Sequence, residues 1–142
     1  MDQQDVYAML LRGRDLLGRG HHHQAATVLE RASLLEPEKT SIREDLARAL
    51  YLSGQKARAG EEFARVVELD PSNDYAHFGL GLSLARAGDH EAAVEYLALA
   101  AAMRPDRKHY TDALRQVRAT LKFRGYLPGG RPSVPPDAGP VS

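Results

Sequence analysis

Apolar residues along the chain recur at spacings of three and four, in blocks separated by short polar stretches that hold glycine or proline. That spacing places them on one face of an α-helix, so each block predicts an amphipathic helix. The blocks end in two alternating ways. Gly20, Gly54 and Gly88 follow one set, and Pro37, Pro71 and Pro105 follow the other, each series at an interval of 34 residues. The interval also relates Ala25, Ala59 and Ala93, then Leu29, Phe63 and Leu97, then Ala32, Val66 and Ala100. Leu35, Leu69 and Met103 each stand two residues before a proline. A period shared by apolar and turn positions marks a structural repeat. Three helix–turn–helix units follow, at about 6–39, 40–73 and 74–107.

Each column has a physical reason. The glycines suit a tight turn with positive φ, the alanines allow close helix approach, and proline stops the second helix because it lacks an N–H and its ring clashes with the preceding turn. Ser41 with Glu44 three residues later reads as a capping box. Ser72, Asn73 or Asp74 is placed to cap the third unit, and Asp89 to cap that unit's second helix. His21, His22 and His23 align with the inter-helix turn at 55–57 and 89–91, where other residues stand. They read as a polar turn, since adjacent histidines do not make a fixed metal-ligand set. A further stripe of Tyr110, Ala113, Leu114, Val117 and Leu121, with Asp112, Arg115, Arg118 and Lys122 outside it, predicts a closing helix near 108–124.

These columns resemble the tetratricopeptide repeat family. The third unit carries Leu80, Gly81, Leu84, Gly88, Ala93, Leu97, Ala100 and Pro105 in the family's pattern. The second carries Leu46, Ala47, Leu50, Gly54, Ala59, Phe63 and Pro71. The first departs once, with Arg12 where Leu46 and Leu80 stand later, as an end repeat facing solvent allows. The family's usual tryptophan column holds Met9, Arg43 and His77. The resemblance spans about 6–107 and implies an all-α, right-handed superhelical solenoid of three antiparallel helix pairs. With the seventh, capping helix, the domain is expected over 1–124.

Composition changes the picture at one end. Residues 125–142 are rich in proline and glycine and poor in apolar side chains. Such a segment buries too little surface to offset its ordering entropy, so a disordered tail is expected there. It carries one P-x-x-P match, Pro132 to Pro135, and Tyr126 and Leu127 are placed to fold back on the cap or into the groove. Elsewhere the balance is ordinary, with 19 basic and 19 acidic residues and no cysteine. A net charge near zero argues against broad nucleic-acid or membrane-surface affinity. The missing cysteines exclude disulfides and thiolate chemistry. No apolar run is long enough to span a bilayer, and no basic-then-apolar leader opens the chain, so the cytoplasm is the expected compartment.

No catalytic constellation emerges. His90-Glu91 opens like a zinc-protease helix, but Val94 stands where the second histidine belongs. The glycines of 79–84 lack a dinucleotide loop's third glycine and lie inside a helix. The chain is therefore expected to be no enzyme, with no cofactor and no metal. The family resemblance implies binding of a partner's peptide or helix along the concave side, which the first helix of each pair lines. Alignment assigns to that groove Tyr7, Leu10, Arg14 and Leu17, then Ser41, Glu44, Arg48 and Tyr51, then Tyr75, Phe78, Leu82 and Arg86. His109, Asp112 and Gln116 extend it on the cap. Tyrosine and arginine are effective anchors, and the expected binding set is Tyr7, Leu10, Arg14, Arg48, Tyr51, Tyr75, Phe78, Leu82 and Arg86. Leu17 and Leu82 also fit a packing role between repeats. The family's clamp for a terminal carboxylate is not matched, since its columns hold Leu10, Arg14, Asp45, Tyr75 and Gly79. The expected partner is another protein, presenting an amphipathic or extended segment with acidic groups for Arg14, Arg48 and Arg86. Self-association as a homodimer is the alternative.

Overall fold

The computed structural model describes residues 3–125, and every block predicted from the pattern becomes one helix. They are α1 (Gln3–Gly18), α2 (His22–Leu35), α3 (Thr40–Leu52), α4 (Lys56–Leu69), α5 (Asp74–Arg86), α6 (His90–Met103) and α7 (Lys108–Arg124). No strand occurs among the described residues. Residues 126–142, where the tail and its P-x-x-P match are expected, lie outside them.

Two kinds of joint alternate. Within each pair, the turn glycine adopts positive φ: 83° at Gly20, 90° at Gly54 and 93° at Gly88. The N–H of Gly54 donates to the carbonyl of Tyr51 at 3.1 Å and that of Gln55 to Leu50 at 2.8 Å. Gly20 with His21, and Gly88 with Asp89, repeat both bonds. This pairing satisfies carbonyls that a helix end leaves without partners. Between pairs, the helix ends two residues before each proline, and a short turn follows, with Asn73 N–H donating to Asp70 carbonyl at 3.1 Å.

The tryptophan column has a purpose at these joints. His77 Nε2 lies 2.8 Å from the carbonyl of Pro71, six residues earlier. Arg43 Nε donates to the carbonyl of Pro37 at 3.1 Å, and its Nη1 donates to Glu62 at 2.8 Å. Each side chain thus ties its own helix to the turn that delivers it.

The expected caps divide. Asn73 Oδ1 accepts from Ala76 N–H at 3.0 Å, and Asp89 Oδ1 from Ala92 N–H at 3.2 Å. The Ser41–Glu44 box does not form, because α3 already begins at Thr40, with Lys39 at the cap position. Glu44 is engaged instead by Asn73 in the next repeat. The histidine tract also shifts, with only His21 before α2 and His22 and His23 inside its first turn.

The repeating columns make the core. Ala25, Ala59, Ala93, Leu29, Leu97, Ala32, Val66 and Ala100 are fully buried, as is Phe63 within 2%. Leu46 and Leu80 are buried, whereas Arg12, on the first described pair, is exposed. At the other end α7 buries Tyr110, Leu114 and Val117 and leaves its charged side outward.

Candidate functional site

Helix packing defines an inside. The backbones of α1 and α3, of α3 and α5 and of α5 and α7 come close together, whereas those of the even-numbered helices do not among the described residues, α2 and α4 being bridged by the long side chains of Glu30 and Arg58. Helices that crowd on one side and splay on the other bend the array, so α1, α3, α5 and α7 line its concave face.

Five of the expected binding residues meet there. Arg48 and Tyr51 of α3 and Tyr75, Phe78 and Leu82 of α5 enclose an apolar cleft of about 220 Å³, with Leu52, Phe63 and Gly79. Phe63 reaches it from α4 because Gly79 has no Cβ. A methyl at Gly79 would sit 2.4 Å from the ring. The walls are rigid. Tyr75 meets Phe63 edge-on at 5.8 Å, and Phe78 stacks on Tyr110 at 4.6 Å with His109 edge-on at 5.2 Å. Aromatic pairs at these separations hold their geometry by packing and by their quadrupoles.

The other expected residues are placed differently. Arg86 lies outside the cleft and donates from Nε to the Tyr51 hydroxyl at 3.4 Å. Arg14 is tied to Asp45, Nε to Oδ2 at 2.7 Å. Tyr7 is 56% exposed and apart from the cleft. Leu10 is a correction: it is 4% exposed and belongs to the core. Its counterparts one and two repeats later, Glu44 and Phe78, stay half-buried, but the aliphatic side chain of Leu10 is drawn into the core. Leu17 is buried too. Gln116 lines a smaller cavity of about 200 Å³ between α5 and α7.

A larger, polar cavity of about 650 Å³ adjoins the cleft and shares Arg48 and Tyr75 with it. Its other walls are Glu44, Asp45, Asp70, Ser72, Asn73, Asp74 and Arg107. Asn73 Nδ2 donates to Glu44 Oε2 at 2.7 Å, Tyr110 Oη donates to Asp74 Oδ2 at 2.6 Å, and Arg107 Nε stands 3.9 Å from Asp74. Burial pushes the Glu44 carboxyl above its ordinary value. The Asn73 bond opposes this, and the neighbouring charges of Asp45 and Asp74 add to it. Burial likewise raises the Tyr75 hydroxyl, and burial with the bond to Asp74 raises that of Tyr110, so both stay neutral donors at physiological pH. The turn residues of this cavity escaped the sequence reading, which saw 70–74 only as helix-capping chemistry. The available signal was the density of acids in Asp70 to Asp74 beside Glu44 and Asp45 one repeat earlier.

Among the described residues, no group of three metal-binding side chains stands together, and no helix is long and apolar enough to cross a membrane. The sequence profile of the tetratricopeptide repeat family matches residues 10–74 and again 61–108. The chain belongs to that family. A solved tetratricopeptide domain, the first of Spaghetti (RPAP3) bound to an HSP90 peptide SRMEEVD, superposes with a TM-score of 0.80 at 18% identity. That match covers 86% of this chain and 97% of the other. YrrB, a tetratricopeptide protein with an unusual peptide-binding site, superposes at 0.73 with 27% identity, over 81% of this chain and 58% of that one. Among curated proteins, a tetratricopeptide repeat-containing thioredoxin of Arabidopsis thaliana, TTL4, is 33% identical over 85 residues. That stretch is 60% of this chain and 12% of the relative, so the match spans about an eighth of it. The fold is thus an all-helical tetratricopeptide solenoid, three repeats closed by a seventh helix, of a family that serves as protein-interaction modules.

Proposed function

We propose that this array is a non-catalytic adaptor that binds a segment of a partner protein on its concave face, with the cleft between α3 and α5 as the anchor site. The observation that carries the reading is the cleft itself, an apolar hollow of about 220 Å³ walled by Tyr51, Tyr75, Phe78 and Leu82 with Arg48 at its rim. A pre-formed hollow walled by rigid aromatic rings suits one buried side chain of a ligand, the arrangement that concentrates binding energy in few residues. Peptide binding by the HSP90-peptide complex and by YrrB supports the class of ligand. The ligand's chemistry is this chain's own, since Arg14 is occupied by Asp45 where a carboxylate clamp would need a free cation.

The test is selection of a displayed random peptide library on the wild-type protein and on Leu82→Glu, after matching the two for helicity and for mass in solution. Peptides enriched on the wild type are expected to bind the variant at least roughly tenfold more weakly, the scale of losing an anchor contact worth about 1.4 kcal/mol. Equal binding to both proteins overturns the reading. A stable dimer whose formation is abolished by Leu82→Glu would assign the cleft to self-association instead.

A further inference from the structure

The apolar cleft and the polar cavity lie side by side, with Arg48 and Tyr75 lining both, so one extended ligand can reach the two. The two cavities differ in character. The cleft is walled mostly by aromatic and aliphatic groups, whereas the cavity brings together Glu44, Asp45, Asp70 and Asp74 against Arg48 and Arg107. Asp45 is paired with Arg14, and Arg107 stays 3.9 Å from Asp74. Glu44 has only the neutral amide of Asn73 as a close partner. Carboxylates gathered in a partly desolvated recess repel one another, and a cation brought among them relieves that repulsion and gains charge-assisted hydrogen bonds.

Resting on the groove reading above, we infer that the ligand segment pairs an apolar anchor, seated between Tyr51, Tyr75, Phe78 and Leu82, with a lysine or arginine that enters the recess beside Glu44 and Asp74. This reverses the polarity expected from Arg14, Arg48 and Arg86 in the sequence. Arg14 is neutralised in place, Arg86 leans on Tyr51, and Arg48 faces the acidic recess. The geometry also sets a spacing. From Phe78 back to Asp74 is one turn of α5, about 6 Å along the axis. An extended ligand advances about 3.3 Å per residue, so its cation stands two or three residues from its anchor, on the side of the α4–α5 turn. Burial first, and then the charges of Asp45 and Asp74, raise the proton affinity of Glu44, while Asn73 and Arg14 lower it.

The selected peptides supply the test. The expected winners carry an aromatic residue or leucine with lysine or arginine two or three positions away. The best of them, labelled for fluorescence anisotropy, is expected to lose roughly tenfold in affinity on Glu44→Gln with Asp74→Asn, and to weaken with added salt. Its counterpart with norleucine in place of the cation is expected to be indifferent to both changes. Gln keeps an acceptor for Asn73, and circular dichroism checks that the fold is retained. Winners that are acidic or neutral beside the anchor, or an unchanged Kd in the double variant, overturn the polarity while leaving the cleft reading standing. Winners insensitive to Leu82→Glu overturn both.

Discussion

Glu44 shows how one side chain is redirected by the next repeat. In the sequence it sits three residues after Ser41 and reads as half of a capping box. In the structure its carboxylate accepts from Asn73, 29 residues later, inside a half-buried recess. Burial is the first cause of its raised pKa. A carboxyl whose folded pKa lies above its unfolded value contributes stability in full below the unfolded value and loses it as pH rises through the folded one. Ionised Glu44 therefore costs stability at neutral pH, and Glu44→Gln is expected to raise the thermal midpoint at pH 7.5. The advantage should shrink as pH falls toward 4, where wild-type Glu44 is protonated. Calorimetry of both proteins at the two pH values checks this, and a constant difference would contradict it. Such a reversal was not legible in the sequence, because local spacing cannot show a partner a whole repeat away. Gly79 is similar: its residue type was visible, but not that Phe63 passes beneath it.

At the level of elements the sequence was far more informative. The 34-residue interval gave six helices, their order and the joints between them, since glycine and proline act through their own backbone chemistry and need no distant partner, and the apolar stripe from Tyr110 to Leu121 gave the seventh. Gly54 isolates that chemistry. Its φ is +90°, and a Cβ built there meets nothing within 4 Å. Gly54→Ala thus introduces backbone strain without a clash, and an expected loss of about 1–2 kcal/mol follows from the cost of a left-handed conformation for an L-residue. A urea denaturation midpoint measures it, and an unchanged midpoint would mean the turn is free to rearrange. Where the element reading missed, as at the start of α3 and in the histidine tract, the error was a shift of one or two residues at a boundary. Capping alone does not set such boundaries when a preceding proline turn already directs the chain.

Among the described residues, every helix packs only on those one or two places away along the chain. The interior helices have neighbours on both sides, whereas α1 and α7 each have them on one. Stability in such an array is a sum of local units and their interfaces. Amide hydrogen exchange is therefore expected to be slowest in α3 to α6 and fastest in α1 and the last turns of α7, with the end helices opening before the centre. Uniform protection lost in a single step would contradict this. The curvature that creates the groove belongs to this scale as well. Alignment named the residues of the inner helices, and the array then decided which of them reach the surface. It collected Arg48, Tyr51, Tyr75, Phe78 and Leu82 around one cleft and drew Leu10 into the core.

The joint between repeats has a consequence for how such a chain changes. His77 and Arg43 fasten their helices to the carbonyl of the proline just before them, and the core columns return every 34 residues. A unit carrying the same columns can therefore be spliced in after Asn73, or one removed, with each remaining joint rebuilt from its own local parts. Length is then free to vary by whole units, and the extent of the inner face varies with it, without a new fold having to be found.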